Sequence, residues 1–216
     1  MIKFGTTVIP GNMEWMFAIE GMRNPMDSWA KSDSFIDHSR YITLGENDLG
    51  LMKRLIAAGT EHRKFLRQLT VWITITAPRY WWTEMDTYKI GTTRNSCSTV
   101  HRITAKDFTR DDFSMDGLEE NELDGIIAKL NTLRGLYVNA TDSNLKKSYW
   151  RKIIMLLPQC YNQKASMSFT METLLNIYFQ RRNHRITEWH EFCDYLLTIP
   201  YFKEFVDAAS TDAEEE

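Results

Sequence analysis

The alternation of hydrophobic and polar positions is most regular between residues 69 and 76, LTVWITIT. Every second residue there is a large aliphatic one, and most of the residues between them are threonines. A period of two in β-branched residues predicts a β-strand, here one packed on both faces. Pro78 should end this strand, because proline has no N–H for the sheet and suits the first turn of a helix. Trp81, Met85 and Tyr88 recur at helical spacing and predict that a helix follows immediately.

Apolar residues at helical spacing recur in five further segments. The first predicted helix is capped by Asn47 and stopped by Gly59, and the second covers Leu123–Leu130. The third is capped by Asp142 or Ser143 and ended by Pro158. The fourth buries Met171, Leu174, Leu175, Tyr178 and Phe179, and the fifth is capped by Thr187 and ended at Ile199-Pro200. A first strand is predicted over Lys3–Ile9, whereas residues 13–22 fit a strand or a helix equally well. Together these elements predict one α+β domain over residues 1–209, followed by an acidic tail, residues 210–216, that we expect to be disordered.

Composition is typical of a globular protein: 216 residues, 43% hydrophobic and 25% charged. The formal net charge of −3 provides no global basic field that would attract nucleic acid or an anionic membrane. Three widely spaced cysteines form no CxxC pair and no disulfide framework, and the N-terminal segment lacks the apolar core of a signal peptide. We therefore expect a soluble, cytoplasmic protein without nucleic-acid or membrane partners.

A hydroxyl-rich polar run, Gly91–Thr99, follows the predicted strand and helix. Two interpretations are open: a ligand-binding loop held by the aromatic segment before it, or a turn followed by helix caps. Cys97 would be a nucleophile in the first case, with His101 one helical turn away as its base. In the second case it is a small, half-buried cysteine. The P-loop, dinucleotide-binding and GxSxG motifs do not occur.

The fourth of the five helices ends in a basic segment, Gln180–Arg185. Cations at a helix C-terminus complement the helix dipole, which is one explanation of this segment. The other is an anion clamp, in which a guanidinium group binds phosphate bidentately. Adjacent helical side chains point about 100° apart, so only one of Arg181 and Arg182 would face inward. His190 and Cys193 lie three apart on one helical face, but no second pair has ligand spacing, and no metal site is expected.

Five landmarks follow one another along the chain: His62, a strand ending in Ala77-Pro78, Leu157-Pro158, Leu174-Leu175-Asn176, and Arg181. This order resembles the flavin-dependent thymidylate synthases, or ThyX family. That family has a histidine-bearing turn, a strand ending Ala-Pro, a helix with the motif RHRxxSxNExSxRY, and a later helix with a substrate-binding arginine. The resemblance covers Asn47–Val100 and Leu157–Trp189. It implies a ThyX-like α+β fold with a central antiparallel or mixed sheet and packed helices, assembled as a homotetramer whose active sites form between subunits.

The motif itself departs from the family pattern. Of the three positively charged residues that hold the flavin, only Lys89 keeps a charge, and the position of the serine at the reacting carbon is Cys97. Asn95 replaces the acidic residue, and Thr99 and Val100 replace the closing arginine and tyrosine. A charge-assisted hydrogen bond contributes about 1.5–3 kcal/mol, so losing two would weaken flavin binding by several orders of magnitude. Replacement donors would have to come from shifted positions, namely Arg94, His101 and Arg102.

The resemblance implies a nucleotide site more than it implies thymidylate synthesis. The residues expected at a nucleotide are Arg181, Arg182, His184, Asn176, Thr92, Arg94, Asn95 and Trp81 (or Trp82 in its place), with His62 and Lys89 at FAD if it binds and Cys97 as the reacting group. Our first hypothesis is a nucleotide-binding protein on a ThyX-like scaffold that sequesters, senses or differently converts its ligand. The first alternative is a divergent flavin-dependent methyl- or hydroxymethyltransferase acting on a dUMP-like pyrimidine nucleotide with folate. The second is an interaction scaffold that binds no nucleotide.

Overall fold

A computed structural model describes residues 1–38, 41–119 and 121–210. The described chain is α+β, as the sequence predicts. Its strands are β1 (Lys3–Val8), β2 (Phe35–Ile36), β3 (Ile42–Thr43), β4 (Thr70–Pro78), β5 (Thr92–Ser96) and β6 (Asn162–Thr170). Its helices are α1 (Asn12–Arg23), α2 (Glu46–Ala57), α3 (Arg79–Met85), α4 (Thr99–Arg102), α5 (Asp124–Asn139), α6 (Ser143–Leu156), α7 (Met171–Arg181), α8 (Thr187–Leu196) and α9 (Phe202–Ser210). Single-turn 3-10 helices cover Asn24–Met26, Trp29–Lys31, Lys64–Arg67 and Arg110–Asp112.

The main sheet is antiparallel and has four strands in the order β1-β4-β6-β5. Its two central strands bury alternate side chains, Val71, Ile73 and Ile75 from β4 and Ala165, Met167 and Phe169 from β6. The opposite face of β4 carries half-buried threonines and Trp72, which is 42% exposed. The prediction that β4 is packed on both faces is therefore confirmed for one face only. A separate two-stranded sheet pairs Phe35 with Thr43 and Ile36 with Ile42.

The chain divides into two compact units. Unit 1 comprises residues 1–5, 74–87 and 95–166, and unit 2 comprises residues 6–73, 88–94 and those from 167 onward. Each of the four strands of the main sheet contributes residues to both units. The single domain over residues 1–209 stays a prediction. In the expected acidic tail, Ser210 is the last residue of α9, and residues 211–216 lie outside the described part of the chain.

Unit 1 has its own hydrophobic core around the long helices α5 and α6. The buried residues of this core are Ile103, Phe108, Phe113, Leu123, Leu130, Leu133, Ile153 and Leu157. Asp142 caps α6, because its Oδ1 accepts a 2.8 Å hydrogen bond from the backbone N–H of Leu145. Both helices were predicted from the apolar spacing, and of the two predicted caps, Asp142 and Ser143, the structure uses Asp142. Helix α5 extends to Asn139, nine residues beyond the predicted Leu130.

Unit 2 buries one face of α8 and the whole first turn of α7, whereas Tyr178 and Phe179, which were predicted to be buried on α7, are half-buried. Met171, Leu174, Leu175, Trp189, Phe192, Cys193 and Leu196 are all buried. On α8, Cys193 is buried whereas His190, three residues before it, is exposed. Among the described residues, no helix has the length and apolar character needed to cross a membrane.

Several predicted boundaries are wrong, and tertiary contacts explain the error at the start of α2. The N-cap of α2 is Gly45 instead of Asn47, because the carboxylate of Asp33 accepts hydrogen bonds from the backbone N–H groups of Asn47 (2.9 Å) and Asp48 (3.0 Å). A Cβ on Gly45 would lie 2.2 Å from Cγ of Asp33, which explains the glycine. Residues 12–23 form a helix, and the N-cap of α8 is Ile186 instead of Thr187.

The predicted polar loop Gly91–Thr99 is also corrected. Thr92–Ser96 is strand β5 at the edge of the main sheet, and only Cys97 and Ser98 separate it from α4. Helix α3 ends at Met85, so Tyr88 lies beyond it. Strand β5 needs few apolar residues, since it lies at the edge and one of its sides has no neighbouring strand in the sheet. Strand β6, which is central, was not predicted at all.

Candidate functional site

The Tyr88–Gly91 turn of unit 2 is fastened to the N-terminus of α7. The backbone N–H of Thr170 donates to the carbonyl of Gly91 (2.9 Å), and Oγ1 of Thr173 donates to the carbonyl of Ile90 (2.9 Å). Gly91 has φ +69°, and a Cβ there would lie 2.5 Å from Oγ1 of Thr173. Only glycine adopts that backbone conformation at so close an approach without strain. The turn is therefore held rigidly against the helix.

Arg181, at the last turn of α7, lies against two aromatic rings of unit 2. Its guanidinium carbon is 4.8 Å from the centroid of the Trp189 ring and 5.5 Å from that of the Tyr88 ring. Its Nε donates a 2.7 Å hydrogen bond to Oη of Tyr88. The guanidinium is an ion and Trp189 is fully buried. The ring contacts and the hydrogen bond therefore favour a fixed orientation of the arginine.

Two further side chains complete this group, which we call the Arg181 cluster: Tyr88, Gln180, Arg181, His184 and Trp189. Oη of Tyr88 donates to Oε1 of Gln180 (3.1 Å), and the His184 ring packs against the Trp189 ring with centroids 6.3 Å apart. The Nδ1 of His184 accepts from the backbone N–H of Ile186 (3.2 Å), which fixes that nitrogen as an acceptor. The cluster therefore holds a cation and an imidazole on one aromatic support.

Arg182 is separated from this cluster, as expected for the next residue on a helix. It is exposed, and its guanidinium lies 5.0 Å from the centroid of the Phe179 ring. The sequence argument that only one of the two arginines faces inward agrees with this arrangement, since Arg181 is half-buried.

Asn176 belongs to a second group on α7, centred on a buried carboxylate. Glu172, 7% exposed, accepts from Nε of Arg63 (3.3 Å) and forms an ion pair with Arg67. Arg63 also donates through Nη2 to Oδ1 of Asn176 (2.9 Å). The hydrogen bonds that Arg67 donates to the Glu172 carboxylate, together with the charge of that carboxylate, raise the pKa of Arg67. Asn176 is thus bonded within an arginine–glutamate network.

The two residues expected at flavin do not line one cleft. His62 lines a cleft of about 620 Å³, whose charged lining residues include Glu61 and Lys64. Lys89 is exposed and is not among the lining residues of that cleft. Flavin pyrophosphate carries two negative charges, and the Glu61 carboxylate offsets the Lys64 cation beside His62. The assignment of these two residues to FAD stays a prediction.

Cys97 lies in unit 1, directly after β5, and is exposed. Its backbone N–H donates to the carbonyl of Lys164 (2.8 Å), and its carbonyl accepts from Nε2 of Gln163 (3.0 Å). It lines a cavity of about 270 Å³. The other residues lining this cavity are Thr76, Ser98, Thr99, Arg102, Asp111, Asp112, Tyr161, Asn162, Gln163 and Lys164. The thiol therefore lies in a polar recess with charges of both signs.

The remaining predicted residues have varied surroundings. Trp81 and Trp82 are almost completely buried and pack edge to face with centroids 4.9 Å apart, so they are core residues of unit 1 and not a stacking surface for a base. Oγ1 of Thr92 donates to the carbonyl of Tyr88 (2.5 Å). Arg94 is half-buried and Asn95 is exposed, both on β5.

Tyr88 and Trp189 were missed as site residues. Both were read as apolar helix positions, and nothing in the local sequence connects residues 101 positions apart. The basic segment Gln180–Arg185 was the available signal, since a half-buried arginine needs an aromatic or anionic neighbour.

The sequence matches no family model, and no curated protein is significantly similar to it. Solved structures are similar. Thymidylate synthase X (ThyX) from Helicobacter pylori, solved with FAD and dUMP, matches with a TM-score of 0.69 at 16% identity, over 97% of this chain and 99% of that chain. A second structure of the flavin-dependent enzyme from the same organism, complexed with FAD and dUMP, matches with a TM-score of 0.65 at 16% identity, over 96% and 98%. The chain therefore has the fold of ThyX.

Proposed function

We propose that this chain is a nucleotide-binding protein on a ThyX-like fold and that it does not run the conventional thymidylate synthase reaction. The observation that carries this proposal is the oriented guanidinium of Arg181, held by the Tyr88 hydroxyl and two aromatic rings. The ThyX structures that share the fold contain FAD and dUMP, which supports a nucleotide as the ligand class. The role would be sequestration, sensing or altered chemistry.

Arg181 would bind the phosphate of the ligand. A guanidinium has five N–H donors in one plane, and this geometry matches a phosphate. Because Tyr88 and Trp189 already restrict this side chain, binding an anion costs less conformational entropy than it would for a mobile arginine. The neighbouring Arg182 would add positive potential, and the second ring nitrogen of His184 would offer a hydrogen-bond donor.

Conventional synthesis is disfavoured by the residues at the family motif. Lys89 is exposed beside Ile90, which is 88% exposed, and the other motif cations are absent from this sequence. FAD, when bound to a ThyX enzyme, supplies the redox chemistry of methyl transfer, and the donor set here does not fit it. Asn95, Thr92 and Arg94 remain proposed ligand contacts, and Cys97 remains the proposed reacting group if the chemistry is altered.

The test is nucleotide binding to Arg181→Ala, measured by isothermal titration calorimetry with dUMP and other mononucleotides. Removing a charged donor to phosphate should cost about 1.5–3 kcal/mol, a loss of roughly tenfold or more in affinity. Arg185→Ala is the matched control, because Arg185 is an exposed arginine of the same basic segment. Equal affinities for the wild type and Arg181→Ala would remove Arg181 from the site.

The flavin-dependent alternative is tested on the purified wild-type protein. Its absorbance spectrum and mass spectrometry of any released ligand identify what co-purifies. Bound flavin would contradict the proposal of a non-conventional protein and make turnover of dUMP with folate the next assay. A nucleotide without flavin would support the proposal and identify the base.

Assembly as a homotetramer follows from the family resemblance and is proposed on that ground alone. Light scattering coupled to size-exclusion chromatography measures the mass directly. A mass four times 25.4 kDa is expected, and a monomer at micromolar concentration would contradict it. Cytoplasmic localisation stays a prediction.

A further inference from the structure

Helix α6 of unit 1 has an unusual charge for this chain. It contains Lys146, Lys147, Arg151 and Lys152 and no acidic residue, whereas the whole chain has a net charge of −3. Within the described residues 1–38, 41–119 and 121–210, no carboxylate oxygen lies within 4 Å of the amino group of Lys146 or Lys147. Among the described residues, no paired carboxylate therefore neutralises the charges of Lys146 and Lys147.

One face of α6 lines a cleft of about 470 Å³. Ser143, Lys146, Lys147 and Trp150 are spaced i, i+3, i+4 and i+7, which puts them on the same side of the helix. The remaining lining residues are Val100, His101, Thr104 and Tyr137, and none of the described lining residues is acidic. The volume lies in the range of pockets that hold small organic ligands.

The cleft combines cations with aromatic rings that are already oriented. Nζ of Lys146 lies 5.1 Å from the centroid of the Tyr137 ring, a cation–π contact that limits the motion of the lysine. Nε1 of Trp150 donates a 2.9 Å hydrogen bond to the carbonyl of Val100, which fixes the indole. The restrained Lys146 and its neighbour Lys147 favour a phosphate, and an indole surface favours a flat ring.

From these observations we propose that the α6 cleft is a second ligand site and binds a phosphate-bearing aromatic molecule of mononucleotide size. Lys146 and Lys147 hold the phosphate, His101 and the hydroxyl groups of Ser143 and Thr104 add hydrogen-bonding groups, and Trp150 contacts the ring. None of these residues belongs to unit 2 or to the Arg181 cluster.

The test uses a matched pair of charge reversals on one helix, Lys147→Glu and Lys152→Glu. Both lysines are exposed and both variants change the net charge equally, but only Lys147 lines the cleft. The probes are AMP and dUMP, the nucleosides adenosine and deoxyuridine, and inorganic phosphate, titrated calorimetrically into the full chain. Thermal melting confirms that each variant is folded.

Lys147→Glu is expected to weaken mononucleotide binding at this site by about tenfold or more, and Lys152→Glu by less than about twofold. Mononucleotides should bind more tightly than either nucleosides or inorganic phosphate. Only they carry both a phosphate for the two lysines and a ring for Trp150. Equal weakening by the two reversals would overturn the proposal, since it would indicate a general effect of charge. Equal affinity for inorganic phosphate and mononucleotide would overturn the role of the rings.

The same titrations distinguish this site from the Arg181 cluster. In Arg181→Ala protein, the binding event that depends on Lys147 should persist. If every binding event is lost in Arg181→Ala and none responds to Lys147→Glu, the cleft proposal is wrong and the proposed function stands. If binding responds to Lys147→Glu alone, the cleft proposal stands and the Arg181 site is wrong.

Discussion

Replacing Tyr88 by phenylalanine tests whether its hydroxyl orients Arg181. The variant keeps the ring under the guanidinium and removes only Oη, the atom that accepts from Arg181 (2.7 Å) and donates to Gln180 (3.1 Å). A hydrogen bond to a charged group is worth about 1.5–3 kcal/mol, and a neutral one about 0.5–1.5 kcal/mol. Because Tyr88 and Arg181 are half-buried and Gln180 is exposed, water compensates part of both bonds. The free energy of unfolding should fall by about 1.5–2 kcal/mol.

Urea denaturation measures this change, and calorimetry measures its effect on ligand affinity. If phosphate binding depends on the orientation of Arg181, mononucleotide affinity should also fall. The loss should be about tenfold for each 1.4 kcal/mol of binding free energy that the correct orientation of the guanidinium supplies. Tyr41→Phe is the control, because Tyr41 is 66% exposed and loses a hydroxyl in the same chemical change. A Tyr88→Phe protein that unfolds at the same urea concentration as Tyr41→Phe, with unaltered affinity, would refute this account of the cluster.

Three further predictions concern stability. Gly91→Ala should lower the free energy of unfolding in urea by about 2–3 kcal/mol, since it adds a Cβ at φ +69° and 2.5 Å from Oγ1 of Thr173. Gly125→Ala is the control and should not lower it, because a Cβ there meets nothing within 4 Å. Asp48→Asn should cost about 3–5 kcal/mol because it leaves the buried Arg23 cation, 2.6 Å away, without its counter-ion; a cost below about 1 kcal/mol would contradict this. Burial raises the pKa of the Cys193 thiol from 9.0 to about 12. As the pH rises, the unfolded chain therefore loses this proton first, and the free energy of unfolding should fall by about 1.4 kcal/mol per pH unit between those two values. A Cys193→Ala variant whose free energy of unfolding falls equally steeply with pH would show that the thiol is not responsible.

Local patterns predicted the elements whose own residues build the core. Helices α6 and α7 and strand β4 have apolar residues at the period of their structure, and the structure confirms them. Strand β6 carried the same kind of signal, since Ala165, Met167 and Phe169 alternate with Lys164, Ser166 and Ser168. It was overlooked because serine, lysine and glutamine dominate its first half.

Two errors had causes that lie outside the local sequence. Strand β5 is polar throughout and is a strand because it pairs at the sheet edge. The start of α2 is decided by Asp33, whose carboxylate accepts from backbone N–H groups 14 and 15 residues away. That carboxylate takes the place of a local cap, and the neighbouring Asp48 is buried with Arg23 instead of facing solvent at the helix start. Hydrogen bonds to Asp48 from Ser34, Ser32 and Arg23 outweigh its desolvation and lower its pKa.

The candidate site was predictable only in part. The basic segment predicted Arg181 and Arg182 as candidates and helical geometry predicted that only one faces inward, and Arg181 is the half-buried one. Its partners Tyr88 and Trp189 could not be found from spacing, because aromatic residues at helical spacing usually serve the core. Conversely, Trp81 was expected at a base and is a core residue.

The hydroxyl of Tyr88 also gives the Arg181 cluster a direction. Since Nε of Arg181 can only donate, the single phenolic proton is committed to Oε1 of Gln180. The three groups therefore form a one-way relay, arginine to phenol to amide, in which each bond polarises the next. Because its oxygen accepts this strengthened hydrogen bond, the amide N–H groups of Gln180 become better donors. An anion approaching α7 would therefore meet an exposed amide donor beside the half-buried guanidinium.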